Sequence, residues 1–346
     1  MSKKVIVTGG AGFIGSHTVV ELDKAGFTPV IVDNFCNSEK EVIARLSKLT
    51  SKPPTLHEVD CLDSDAMARV FEQEGDVYGL IHFAAHKAVG TSVEKPLMFY
   101  QNNIGSLVSV LEVMQKFDVR RFVFSSSCTV YGQPDSLPVT EQSPQKPAES
   151  PYGRTKQFCE QIILDHIATG LPLGAVTLRY FNPIGAHESS LIGELPIGTP
   201  ENLIPYITQT AAGIREKLTI FGDDYDTPDG TAIRDYIHVV DLANAHVKSL
   251  EWIDSQTKKS FNEVFNVGTG RGSSVLEAVR AFEAATGAKL NYEIGPRRTG
   301  DVVETYASTE KSKKILGWTP ERDLQTAMKD AYNWQLSLAK RELSSS

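Results

Sequence analysis

Two groups of residues have the types and spacing for chemistry. Tyr152 and Lys156 stand four residues apart, a spacing that puts both side chains on one face of a helix. Of the eleven tyrosines in the chain, Tyr152 alone has a lysine four positions on. Ser125-Ser126-Ser127 follows an apolar run ending at Phe124, which places hydroxyls at the carboxyl end of a strand. A phenol ordinarily ionises near pH ~10, so serving as a base near neutrality takes a drop of roughly 3 units, or ~4 kcal/mol. An ammonium about 4 Å away supplies on the order of 4 kcal/mol at an effective dielectric of about 20. Aided by a second positive group, Lys156 can therefore make Tyr152 a base. Ser127 would hold the hydroxyl that loses its proton.

The start of the chain supplies a partner for this set. Strand Val5-Ile6-Val7-Thr8 runs into Gly9-Gly10-Ala11-Gly12-Phe13-Ile14-Gly15 and then directly into a helix. The string reads as GxxGxxG (Gly9, Gly12, Gly15) or as GxGxxG (Gly10, Gly12, Gly15). Glycines there let the backbone turn tightly and approach a pyrophosphate, with the helix N-terminus facing the phosphates. The next strand ends at Val32-Asp33-Asn34, roughly 20 residues on, where a carboxylate takes ribose hydroxyls and repels the 2′-phosphate of NADP. NAD is the expected dinucleotide, and its nicotinamide ring is the second positive group. Asp60, closing the third strand, is placed for the adenine edge.

These residues need a scaffold that brings strand ends together. Pro29 to Val32, Leu56 to Val59, Leu80 to Phe83, Phe122 to Phe124 and Ala175 to Leu178 are further short apolar runs without alternation. That pattern fits parallel strands buried on both faces. Helical patterns run between them at Ile14 to Ala25, Leu97 to Phe117 and Tyr152 to Thr169. Repeated βαβ units predict an α/β fold with a Rossmann doubly wound parallel sheet. The expected division is a Rossmann domain over 1–180 and a smaller mixed α/β substrate domain over 181–346. The chain is expected to revisit the first domain around 232–268. Gly185 to Pro200 reads as a long functional loop. Helices are expected near Ile204 to Arg215, Val239 to Trp252 and Val275 to Thr286, with a strand at Ala232 to Ile237.

Bulk properties narrow the function classes. The 346 residues are 41% hydrophobic and 23% charged, as in ordinary globular proteins. A formal charge of -8 argues against nucleic acid or anionic membranes as partners. No apolar run approaches the ~18 residues of a membrane span, and no targeting signal is evident. Four cysteines without CxxC spacing and eight scattered histidines predict reduced thiols, a cytoplasmic protein and no metal.

The glycine string, the serines and the Tyr152/Lys156 pair resemble the extended short-chain dehydrogenase/reductases. Longer strings are similar to the UDP-glucose (UDP-galactose) 4-epimerases within them. These are 32–38, His82 to Gly90, Ser127 to Gly132, Leu178 to Pro183, Ile233 to His238 and 296–301. The resemblance covers essentially the whole chain. It implies reversible C4 epimerisation of UDP-glucose and UDP-galactose through a 4-ketosugar, with tightly bound NAD.

The same resemblance assigns residues. Tyr152, Lys156 and Ser127 would be catalytic. Gly9, Gly12, Phe13, Ile14, Gly15, Asp33, Asn34, Asn37, Ser38, Asp60, Cys61, Phe83, Ala84, Lys87, Asn102, Ser125 and Tyr180 would line NAD, together with Tyr152 and Lys156. Phe181, Asn182, Asn202, Leu203, Thr219, Phe221, Arg234, Arg298, Asp301 and Thr305 would contact the UDP-sugar, together with Lys87, Ser127 and Tyr152. Arg234 and Arg298 suit a diphosphate because a guanidinium binds such groups bidentately.

Two positions depart from the family pattern. Ala85-His86 stands where epimerases often show Gly-Leu, and His86 is expected to be a loop histidine without a catalytic part. Thr305 occupies the position that gates the sugar 2-substituent, and a small residue there implies activity on UDP-GlcNAc and UDP-GalNAc as well. Related epimerases are commonly dimers. Leu107, Val108, Leu111, Val113, Phe158, Ile162 and Ile163 are the residues expected to pair about a twofold axis. A 4,6-dehydratase or decarboxylase would need a carboxylate beside the serine, which Ser127-Cys128-Thr129 lacks. A non-catalytic NAD sensor would not need the intact Ser127, Tyr152 and Lys156.

Overall fold

The computed structural model describes residues 3–297 and 302–345. Strands and helices alternate through β1 (Lys4–Thr8), α1 (Phe13–Lys24), β2 (Thr28–Asp33), α2 (Glu41–Leu46), β3 (Thr55–Glu58) and α3 (Ser64–Glu74). They continue as β4 (Val77–His82), α4 (Val89–Glu94), α5 (Pro96–Phe99), α6 (Gly105–Lys116), β5 (Arg121–Ser127), α7 (Pro151–Ala168) and β6 (Gly174–Tyr180). The rest comprises β7 (Asn182–Ile184), α8 (Leu203–Ala211), β8 (Leu218–Phe221), β9 (Ile233–Arg234), β10 (Tyr236–His238) and α9 (Val239–Asp254). It ends with β11 (Phe261–Val267), β12 (Ser273–Ser274), α10 (Val275–Thr286), β13 (Tyr292–Gly295), β14 (Glu304–Thr305) and α11 (Leu324–Ser345).

Seven strands form one parallel sheet in the order β11-β6-β5-β4-β1-β2-β3. The apolar runs are continuous because both faces are covered. Val5, Val7 and Ile31 pack toward α1 and α9 through Val19, Val20, Leu242 and Leu250. Their neighbours Ile6, Val30 and Val32 pack the other way, against Met67, Phe71, Leu107 and Ile163 of α3, α6 and α7. This is the Rossmann arrangement the strand pattern predicts. Beyond it, a separate core of Ile204, Ile207, Leu218, Val279, Phe282 and Met328 joins α8, α10 and α11.

Two elements differ from the sequence expectation, each for a buried polar reason. The helix expected from Leu97 to Phe117 is split into α5, a π-helical turn at Tyr100–Ile104 and α6. Within that turn the buried Asn103 amide accepts from His86 N at 2.8 Å and donates to His86 O and Thr155 Oγ1. Widened turns of this kind re-aim side chains at functional sites. The strand expected from Ala232 to Ile237 breaks at Asp235 into β9 and β10. Its fully buried carboxylate collects the N–H groups of Thr269, Gly270 and Ala307 and the Thr269 hydroxyl. A residue bound inward on all sides cannot keep the strand pleat.

Those breaks matter for positioning. β10 pairs with β7 directly after the carboxyl end of β6, so the second half of the chain is fixed at the sheet edge where the serines lie. β11 then returns to pair with β6 along its full length, from Phe261↔Gly174 to Val267↔Tyr180.

Candidate active site

A cleft of about 650 Å³ opens at the carboxyl ends of the parallel strands, within the usual range for ligand sites. The glycine string forms one wall. Gly9 has φ +68°, and a Cβ there would stand 2.9 Å from Ala84 N. A Cβ on Gly15 would meet Gly9 O at 2.2 Å, so the turn closes only with glycine. Gly12 begins α1 with no side-chain cap, and the first turn carries no acidic residue. The first-turn N–H groups are thus left to a ligand, and their dipole favours an anion. Asp33 braces this wall, accepting from Ala11 N, Phe35 N and Ser38 Oγ at 2.9 to 3.0 Å. Asn34 Nδ2 donates to Asp60 at 3.0 Å, tying the ends of β2 and β3 together. Glycines that no Cβ could replace, an uncapped helix start and a buried carboxylate beside them fit a dinucleotide.

The catalytic candidates line the same cleft. Ser125 and Ser127 end β5, while Tyr152 and Lys156 sit on the first turns of α7, whose N-cap is Ser150. Lys156 is 3% exposed, and its ammonium donates to Ser125 O at 2.6 Å and lies 5.8 Å from the Tyr152 ring centre. Burial lowers its pKa to about 8, against smaller upward pulls from Cys159 and Glu160. Ser127 is close enough to Tyr152 to favour the phenolate. Burial nevertheless pushes the Tyr152 phenol far above its usual range, and Tyr180 adds to the rise. Burial thus favours the neutral phenol.

Behind this set lies a saturated polar layer. Glu160, one turn beyond Lys156, takes both Arg179 Nε (2.9 Å) and Nη2 (2.6 Å), and also accepts from Ser126 and Gln145. Arg179 also reaches the Tyr131 hydroxyl at 3.0 Å. Tyr180 is bonded through its hydroxyl to Ser125.

All the residues expected to line NAD border the cleft: the glycine string from Gly9 to Gly15 as named, Asp33, Asn34, Asn37, Ser38, Asp60, Cys61, Phe83, Ala84, Lys87, Asn102, Ser125, Tyr152, Lys156 and Tyr180. Of the substrate set, Phe181, Asn182 and Asn202 also border it, and Leu203 follows as the first residue of α8. Thr219 and Phe221 lie apart on β8, paired with β13. Arg234 and Thr305 are register partners on β9 and β14, and Arg234 is close enough to act on the Cys128 thiol beside Ser127. Arg298 and Asp301 lie outside the described residues. His86 borders the cleft with its ring against Phe99, and burial lowers its pKa.

Several cleft residues carried no sequence signal. Ile192, Glu194, Leu195, Glu201 and Trp334 line it from the loop read as functional and from α11. His82, under the glycine turn, is fully buried and hydrogen-bonded to Thr8 Oγ1 at 2.8 Å, and burial lowers its pKa to about 3. Their partners are far away in the chain, so no local spacing marks them. Among the described residues no cluster of ligating side chains could hold a metal.

The Lys156 pKa has a consequence for stability. The folded value of about 8 lies below the ordinary 10.5, so unfolding takes up a proton between those pH values. The penalty of burying the ammonium is present below pH 8 and relieved as pH rises toward 10.5, so this group makes stability increase across that window. Urea midpoints should therefore rise more between pH 8 and 10 in the wild type than in Lys156→Met. An equal change in both would contradict the assignment.

Residues 5–268 match the model of the NAD dependent epimerase/dehydratase family. The chain is 49% identical over 332 residues to a UDP-glucose 4-epimerase of Dictyostelium discoideum, covering 96% of this chain and 95% of that one. A UDP-glucose-4-epimerase of Stenotrophomonas maltophila, solved with NAD and formylated UDP-arabinopyranose, superposes with a TM-score of 0.94 at 45% identity. That match covers 98% of this chain and 99% of the other. The Bifidobacterium longum UDP-glucose 4-epimerase, in complex with NAD+ and UDP, gives a TM-score of 0.92 at 46% identity, covering 97% and 98%. By sequence and by fold, this chain belongs to the NAD dependent epimerase/dehydratase family.

Proposed function

We propose that the chain catalyses reversible C4 epimerisation of UDP-glucose and UDP-galactose, with NAD resident in the cleft. The observation that carries this reading is the continuity of one cleft from the glycine turn at Gly9 to Gly15 to Ser127, Tyr152 and Lys156. NAD, when bound there, would supply a hydride acceptor for the sugar carbon and a positive ring beside Tyr152. Gly9, Gly12 and Gly15 and the start of α1 would hold the pyrophosphate, while Asp33 and Asp60 would hold the adenosine half. Ser127 holds the sugar O4 through its hydroxyl, and Tyr152 removes the O4 proton and later gives it back. Lys156 stabilises the phenolate.

Inversion demands a firmly held UDP and a loosely held sugar, since the base is fixed. Arg234, with Arg298 and Asp301, would anchor the UDP. Thr219 and Phe221 on β8 would lie against its uridine, and Asn182, Asn202 and Leu203 beside its phosphates and sugar. On this reading 1–180 is the NAD-binding unit and 181–346 the UDP-sugar unit. The pairing of β11 with β6 supports a return of the chain to the first unit around 232–268. Among the described residues no helix is long and apolar enough to cross a membrane, and four free cysteines support a cytoplasmic site.

A twofold dimer through α4 to α7 is part of the same proposal. Leu107, Leu111, Val113 and Ile163 face their own core, which removes them from the pairing set. Phe158 (46%) and Val108 of that set are exposed, as are Val93 (62%), Leu97 (80%) and Met98 on α4 and α5.

Four measurements test these readings. Incubated with UDP-galactose and no added NAD, the purified protein should yield UDP-glucose. A 4-keto-6-deoxy sugar would instead indicate a dehydratase, and unchanged substrate a sensor. Tyr152→Phe should keep its fold and cofactor and lose about 10³-fold in kcat; near-normal turnover would remove the base assignment. Because Thr305 is small, UDP-GalNAc should also be converted, and full inertness toward it alongside good UDP-galactose turnover would refute that extension. Light scattering should give twice the chain mass for the wild type and the monomer mass for Leu97→Glu; a monomeric wild type would end the dimer proposal.

A further inference from the structure

The segment between β7 and α8 crosses the mouth of the cleft as a strap. Its base is fixed. An isolated bridge joins Ala186 to Gly193, and Ser337 of α11 donates to Ser190 O at 2.9 Å. Gly193 lies flat on the Trp334 indole, where a Cβ would approach within 2.5 Å, and Trp334 Nε1 donates to Glu194 O at 2.8 Å.

From that base, two carboxylates reach across to the wall that follows β4. Glu194 Oε1 accepts from Lys87 Nζ at 3.0 Å and from Asn202 Nδ2 at 2.7 Å. The Glu194 side chain is 10% exposed, so its ion pair with Lys87 is shielded on one side and worth more than a surface pair. Glu201 Oε2 accepts from Gly90 N at 3.1 Å, and its Oε1 from the Thr91 hydroxyl at 2.9 Å. Both acids border the cleft, as do Lys87, Thr91 and Asn202. Neither enters the proton transfers assigned above.

We propose that Glu194 and Glu201 are positioning residues that clasp the strap across the cleft and keep the dinucleotide resident through the catalytic cycle. The inference rests on NAD being the resident ligand. An ammonium has three donors, and Glu194 engages one, so Lys87 can hold the clasp and a phosphate oxygen together. Glu194 thereby links a residue of the dinucleotide half, Lys87, to one of the sugar half, Asn202. Entry and exit of the dinucleotide require both clasps to part, whereas a UDP-sugar reaching the cleft from the Asn202 side does not. An enzyme that ends each cycle with its cofactor unchanged gains nothing from releasing it, and the clasps enforce that.

The test is the exchange of bound NAD for isotope-labelled NAD, followed by desalting and mass spectrometry of the bound nucleotide, in wild type, Glu194→Gln and Glu201→Gln. Loss of one charge-assisted clasp should speed exchange by about tenfold, with the double variant faster still. A packing role alone would lower the unfolding temperature without that acceleration. If Glu194→Gln does not fold, Glu201→Gln decides by itself, since its carboxylate touches neither Lys87 nor Asn202. Exchange at the wild-type rate in the folded variants overturns the clasp while leaving NAD binding intact. A wild type that neither carries nor takes up NAD overturns the functional reading and the clasp with it.

Discussion

The site is organised by one costly fact: the Lys156 ammonium is kept in dry protein with no carboxylate bonded to it. Its hydrogen bond among the described residues goes to a backbone carbonyl, Ser125 O. The nearest acid on its own helix, Glu160, is held by Arg179 with two bonds and by Ser126 and Gln145 with two more. Arg179 therefore occupies the acid that stands one turn from Lys156. Such a buried pair adds little to stability by itself, and its value lies in what it keeps apart.

The rest of the fold follows from serving that charge. β5 delivers Ser125 to Ser127, β6 delivers Arg179 and Tyr180, and α7 delivers Tyr152, Lys156 and Glu160, all at one sheet edge. β1 brings the glycine turn to the same edge, two strands from β5, so that a dinucleotide spans the distance. Burial leaves both Tyr152 and Lys156 in their uncharged forms more than water would. A positive charge placed near Tyr152 would favour its phenolate.

The elements legible in the sequence are those whose reasons are local. Continuous apolar runs identified the parallel strands, and the glycine string, Asp33, Tyr152 and Lys156 announced themselves by spacing. The π turn at Tyr100–Ile104 was hidden because its cause, Asn103, bonds to His86 and Thr155 far along the chain. The break at Asp235 was hidden for the same reason, its partners lying at 269, 270 and 307. The loop at Gly185 to Pro200 was readable as functional from composition. Its hold on Lys87 and Trp334 was not, since both contacts cross about a hundred residues or more. The apolar residues of α6 and α7 could not be sorted by pattern into core and surface, because both faces of those helices are apolar.

The dependence of Tyr152 on nearby positive charge is tested most directly by its own ionisation. Tyrosinate absorbance, taken as the difference between wild type and Tyr152→Phe, isolates this phenol in the NAD-loaded protein. Its titration should fall clearly below the ordinary value of about 10 and return above it in Lys156→Met. A phenol that titrates at or above about 10 in the loaded wild type would contradict the role given to Lys156 and the cofactor charge.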